Sequence, residues 1–225
     1  MILALIILAA IMLYGPHLWA RHILNRYNRE EYFSGNGFDL ARLLLAKMPL
    51  EGVEVEATPL GDHSDPETKV VRLTTTSCGR KTLTAVVVAA HEVGHALQDR
   101  EHYPPLTART RMIGTAARME RIGAGIMVVV PVLALVARVP AAGLLMLLGG
   151  LASLCIPIVV HLLTLPTELN ASFKRALPLL STGNYIPPED IPAARRILLA
   201  CALTYVANAL VGLLNIWRWI RILRR

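Results

Sequence analysis

Two histidines four positions apart, with a glutamate beside the first, restrict this chain more than any other five residues: His91-Glu92-Val93-Gly94-His95. Residues i and i+4 share one face of an α-helix, so a helix lets both imidazoles reach a single metal ion. Glu92, next to the first ligand, is then placed to take a proton from a water at the metal. The bare pattern also arises by chance on amphipathic helices. The flanks favour the metal: Val88-Ala89-Ala90 and Ala96-Leu97 carry no charge. A helix of that composition packs in a core, which holds ligands rigidly and keeps competing charges away.

The remainder of the chain is apolar to a degree unusual for a soluble domain. Of 225 residues, 54% are hydrophobic and 17% charged, a profile expected of a small integral membrane protein. The net charge of +7 lies mostly at the ends of apolar runs, without the interleaved aromatics of a nucleic-acid surface, so no nucleic-acid partner is expected. Cys78, Cys155 and Cys201 are far apart and form no CxxC pair. Neither a disulfide framework nor a cysteine zinc site is indicated, and a reducing compartment is expected.

Four apolar runs organise the chain. Ile2 to Trp19 is long enough to cross a bilayer; no basic residue precedes it and Arg21, Arg26 and Arg29 follow, so an uncleaved anchor is expected over 1–20. Residues 21–121 have the composition of a soluble domain. Within it, Asp39 to Met48 has helical periodicity with Asp39 as a candidate N-cap. Val53 to Thr58 and Lys69 to Thr75 alternate as strands around a turn, so a short β-hairpin is expected before the helix at Leu83 to Gln98. An exposed strand edge there is able to bind an extended peptide, or the hairpin merely covers the helix. Ile122 to Ala137 and Val139 to Val160 are expected to form a transmembrane hairpin over 122–165. The segment 166–196 then returns to the side of His91, where it is able to supply a third ligand. Ile197 to Ile216 is the fourth expected span, in a C-terminal unit of 197–225 with Trp217 and Trp219 as interfacial residues. The expected fold is therefore mainly α and membrane-integral, with about four transmembrane helices and a small α+β HExxH domain of gluzincin-like type. The basic residues flanking the spans are more numerous on the catalytic side, which favours a cytoplasmic catalytic domain at an inner membrane; the basic C-terminus opposes that orientation.

A catalytic zinc takes three protein ligands and a water. Outside the motif the candidates are His63, His102, His161 and several carboxylates. Glu168 stands out because it follows the third apolar run directly, in the largely uncharged Pro166-Thr167-Glu168-Leu169-Asn170-Ala171-Ser172. Capping the helix that begins near Pro166 is its ordinary alternative role.

The segments AAHEVGHALQ, DPETKVVRL, LPTELNAS and ALTYVANALVGLL, in that order along nearly the whole chain, resemble the YugP-type membrane zinc metallopeptidases of bacteria. The resemblance implies one Zn2+ per chain bound by His91, His95 and Glu168, with Glu92 as catalytic base. That family usually carries a tyrosine in the segment before Asp-Pro, where this chain has His63-Ser64-Asp65-Pro66; a difference in substrate preference is the implied consequence. His63 and Asp65 themselves are read as turn residues without a catalytic part.

The expected activity is hydrolysis of peptide bonds in peptides or proteins, membrane proteins among them, at a lipid bilayer. An oxyanion donor is expected as well. Tyr205 and His161 are candidates, though each sits in an apolar run where packing is the ordinary role. Asn170 and Ser172 are candidates for orienting the ligands. Two other readings remain at this point: an intramembrane (site-2-like) protease, opposed by the charges at Arg80, Lys81 and Asp99 to Glu101, and a zinc-binding membrane scaffold or chaperone partner without catalysis, opposed by the intact Glu92.

Overall fold

The computed structural model describes residues 2–48, 50–112 and 164–213, with the single positions 115, 118 and 160. In chain order these contain α1 (Ile2–Arg26), α2 (Gly37–Lys47), β1 (Glu54–Ala57), β2 (His63–Asp65), β3 (Val70–Leu73), α3 (Thr75–Cys78) and α4 (Leu83–Arg100). After the described helical stretches at 104–112 and 164–170 come a π-helical segment (Ala171–Ala176), α5 (Leu177–Thr182), a 3-10 turn (Pro188–Asp190) and α6 (Ile191–Leu213).

Helix α4 is the centre of the molecule. Every residue from Leu83 to Ala96 is buried, as a helix apolar all round requires. Its start is set by Thr82, whose hydroxyl accepts from the Ala85 amide and donates to Asn28 Oδ1, satisfying one of the free N–H groups at the helix end. Around it pack α2, α3, α6 and the π-helical segment, and one hydrophobic cluster joins Ala20 and Ile23 of α1, Leu44 of α2, Leu73 of β3, Val87 of α4 and Ile197 of α6. Helix α2 begins earlier than its periodicity suggests. Asn36 is the N-cap and Asp39 its partner in a capping box, so Asp39 helps cap the helix from inside its first turn.

The expected hairpin is corrected. The two foreseen strands, β1 and β3, lie side by side in parallel, Glu54 opposite Val70 through Ala57 opposite Leu73. An unforeseen strand, β2, pairs antiparallel with β3 and stands at the edge of the order β1-β3-β2. The long connection between β1 and β3 makes the parallel pairing possible. Asp65 closes the β2–β3 turn by accepting from the amides of Glu67 and Thr68, the local bonding that lets an Asp substitute for backbone in a turn.

The membrane architecture is corrected too. Among the described residues no helix is long and apolar enough to cross a membrane, which overturns the integral membrane fold of about four spans. The runs at 122–137 and 139–160 lie outside the described residues, as does the end of the run at 197–216. The other runs find their use in helix packing: α1 continues through His17, Arg21, His22 and Arg26 and packs against α6. Ala20 and Ile23 of α1 and Ala194, Ile197, Leu198 and Ala200 of α6 are buried in the shared cluster. Part of these apolar runs thus meets other protein, while Ile11, Leu18 and Trp19 of α1 stay exposed.

Candidate metal centre

On α4 the i, i+4 spacing does place His91 and His95 together, their ring centroids 4.7 Å apart. Glu168 reaches them from the helical turn 164–170, fully buried at 0% exposure. Its Oε2 lies 3.3 Å from His91 Nε2 and 3.1 Å from His95 Nε2. These three are the metal-ligating cluster among the described residues. Residues Thr164 and Thr167 to Glu168 are buried, so the carboxylate arrives from within the protein rather than from a surface.

The outer partners decide which ring nitrogens face the centre. Gln98 Nε2 donates to the Thr167 carbonyl and to Asn170 Oδ1, which turns Gln98 Oε1 toward His95 Nδ1 at 2.9 Å. His95 Nδ1 therefore carries the proton. The Ser172 hydroxyl donates to the Leu198 carbonyl and so accepts from His91 Nδ1, 3.1 Å away. Both Nε2 atoms are left for the centre, the arrangement that fixes tautomer and ring direction at metal sites. Asn170 and Ser172 thus act on the histidines, one through Gln98 and one directly. Gln98 went unforeseen, although its place at i+3 from His95 was the available signal.

This donor set fits zinc. A tetrahedral ion with ligand bonds of ~2.0–2.1 Å has ligand–ligand edges of ~3.3 Å, and the two Nε2–Oε2 distances are 3.3 and 3.1 Å. Without a cation, both buried Nε2 atoms would need protons to satisfy Oε2. A divalent ion takes the place of those protons. Burial works against the charged form of Glu168, yet the neighbouring His95 and His91 hold its carboxyl well below the usual carboxylate range. Its second oxygen, Oε1, accepts from Arg109 Nη1 at 3.0 Å, so Oε2 alone faces the histidines.

Glu92 is buried beside this cluster, and burial pushes its carboxyl up to about 7. With His95 and Arg109 it lines a cavity of ≈ 370 Å³ whose far wall is His63, Ser64, Asp65, Pro66 and Glu67. Opposite, α4 and the π-helical segment meet at Gly94, where an added Cβ would stand 2.9 Å from the Ala171 carbonyl oxygen. Only a glycine admits so close an approach of backbone, and the contact sets the distance between the motif helix and the segment bearing Glu168 and Ser172. A π-helical turn at such a point is a common device of functional sites.

The other sequence candidates fall elsewhere. His102 is exposed beyond the end of α4, with a positive φ of 51°. His161 and the side chain of Tyr205 lie outside the described residues. Burial pushes the thiols of Cys78 and Cys201 far up, which leaves both as packing groups.

The family model described as "Putative neutral zinc metallopeptidase" matches residues 2–224. The "Putative membrane protease YugP" of Bacillus subtilis (strain 168) is 34% identical over 226 residues, covering 97% of this chain and 96% of the relative. No solved structure matches. With a match over nearly its whole length, the chain belongs to the neutral zinc metallopeptidase family.

Proposed function

We propose that this protein hydrolyses peptide bonds with one zinc ion held by His91, His95 and Glu168 and with Glu92 as general base. The observation that carries the reading is the convergence of His91 and His95 Nε2 on one oxygen of Glu168, at tetrahedral edge distances, beside the buried carboxyl of Glu92. Zinc in that position supplies a Lewis acid for the scissile carbonyl and lowers the pKa of water. Glu92 takes the proton of the attacking water on its carboxylate and returns it to the leaving amine nitrogen. Gln98 and Ser172 keep the histidine rings in one tautomer, and Arg109 holds the second oxygen of Glu168.

The substrate is an extended peptide. β2 is the edge of its sheet and forms one wall of the cavity that contains Glu92. A chain lying along that edge would exchange backbone hydrogen bonds with it, as peptides do at exposed strand edges. The Bacillus relative is described as a membrane protease, so association with a membrane belongs to this reading, and cell fractionation tests it directly.

The test of the chemistry compares wild type with Glu92→Gln, measuring bound zinc and cleavage of casein side by side. Zinc in both, with cleavage by the wild type alone, is the expected result. Equal cleavage by both proteins would remove Glu92 from the mechanism. A wild type that binds no zinc would remove the site.

A further inference from the structure

We propose that the cavity between α1 and the first half of α4 is a substrate subsite for a side chain bearing a carboxylate, with Arg21 as its cation. This inference rests on the peptidase reading above and names a residue that sets which peptides are cleaved.

The cavity, of ≈ 460 Å³, adjoins the one that contains Glu92. Thr84 and Val88 of α4 line it, while Glu92 and His95 line the other. Steps of four, four and three residues keep to one face of a helix, so a single stripe of α4 is the floor of both. Helical rise puts Val88 only ~6 Å along the axis from Glu92. The walls adjoin as well. Asp62 lines this cavity and His63 the other, and the Cα atoms of consecutive residues are ~3.8 Å apart. A peptide paired with the edge strand β2 and continued past His63 therefore runs from the Glu92 cavity into this one. At ~3.3 Å per extended residue, the side chain that enters it stands about two residues from the scissile bond.

The lining gives the chemistry. On the α1 side His17, Arg21 and Asn25 stand four residues apart, a polar stripe on a helix that is otherwise largely apolar. Helix α1 is fastened to α4 at this point, with Thr84 Oγ1 donating to the Leu24 carbonyl at 2.9 Å, so the stripe is presented by a held backbone. Neither Arg21 nor Asn25 has a side-chain hydrogen bond or ion pair with another described residue. The guanidinium and the amide N–H groups are thus available as donors.

The anion in the lining is Asp62, and its charge is taken up by the turn it closes. Its Oδ1 accepts from the Thr74 amide at 2.6 Å, the Thr74 hydroxyl at 3.0 Å and the Cys78 thiol at 3.7 Å, and its Oδ2 from the Ser77 hydroxyl at 2.5 Å. Those donors fill the roughly four acceptor positions of a carboxylate, which leaves no place for a substrate ammonium. What stays open is the cation. A planar guanidinium pairs with a carboxylate through two parallel N–H···O bonds, so an aspartate or glutamate side chain is the complementary occupant.

The experiment uses the full-length zinc-loaded protein and a fluorogenic peptide cleaved by the wild type. Each of the three positions on either side of the scissile bond carries Glu, Gln or Lys in turn. At one position Glu should exceed Gln in kcat/KM by ~10-fold, the usual worth of a hydrogen bond to a charged group, chiefly through KM. Arg21→Gln should abolish that preference and Arg21→Lys keep part of it, with zinc content and cleavage of the Gln peptide unchanged. Arg29→Gln, exposed beyond the end of α1, removes the same charge away from the cavity and should keep the full preference. Binding to zinc-loaded Glu92→Gln, read by fluorescence anisotropy, should favour the Glu peptide over the Gln peptide by a similar factor, and adding Arg21→Gln should cancel the difference. Equal cleavage of Glu and Gln peptides at every position overturns the proposal. So does a preference for Lys, which would make Asp62 the recognising group, or a Glu preference that survives Arg21→Gln or is lost equally in Arg29→Gln. Absence of any cleavage by the wild type would instead bring down the peptidase reading, and this inference with it.

Discussion

Gly94→Ala tests whether the contact between α4 and the π-helical segment sets the geometry of the metal centre. The added Cβ would stand 2.9 Å from the Ala171 carbonyl oxygen and 3.5 Å from Arg175 Cβ. Close C–H···O contacts settle at roughly 3.3–3.6 Å, so the two backbones must separate by about half an ångström. Alanine in place of an unconstrained helical glycine would add about 1 kcal/mol of stability, whereas overpacking a filled core costs about 1–3 kcal/mol. The net expectation is a loss of about 0–2 kcal/mol in the metal-free protein. The larger effect falls on the metal. Glu168 and Ser172 flank the displaced Ala171, while His91 and His95 stay with α4. A shift of that size opens the 3.1 and 3.3 Å donor edges, and zinc affinity should fall ~10–100-fold, as when an outer partner of a ligand is lost. Chelator competition gives the affinity and urea unfolding of the metal-free protein gives the stability. A variant more stable than wild type by about 1 kcal/mol with unchanged zinc affinity would refute the reasoning, because Gly94 would then be an ordinary helical glycine.

Arg109→Ala should weaken zinc binding ~10–100-fold by leaving Glu168 Oε1 buried without its cation, and Arg109→Lys should recover part of the loss; equal affinities in all three proteins would show that the ion pair does not hold the ligand. Hydrogen bonds from Thr68, and after the opposing effect of burial those from Arg72, lower Asp65 from 3.8 to about 2. Its folded pKa is depressed, so its contribution is present above pH ~4 and is lost as pH falls through about 2, a contribution of about 1–2 kcal/mol after allowance for partial exposure. Urea midpoints of wild type and Asp65→Asn should therefore converge between pH 4 and pH 2; a constant offset across that range would mean the turn is held by other bonds.

What could be read from the residues follows the range of the interactions involved. The α4 helix, its two histidines and the adjacent Glu92 are consequences of i, i+4 geometry within five residues. Helix α2 and strands β1 and β3 were visible as periodicities, because period 3.6 and period 2 are local properties. Glu168 was singled out from its uncharged surroundings, and the resemblance named it as ligand. The pairing of β1 with β3, by contrast, depends on where the connection over 58–69 travels, and no local pattern distinguishes a hairpin from a parallel pair with a third strand at the edge. The apolar runs showed that much surface had to be hidden without showing from what; α1 and α6 hide part of theirs against each other.

The outer partners of the site are the clearest case. Gln98 and Arg109 were not singled out in the sequence, although Gln98 stands only three residues from His95. Each gained its place only when folding brought α4, the 104–112 stretch and the 164–170 turn together. The sequence by itself determined the chemistry available here, two imidazoles and a carboxyl on one buried helix, because helical spacing is a local rule. Only tertiary structure decided how Glu168 meets them and which side chains orient the set, because those distances are fixed by packing between segments 59 to 81 residues apart.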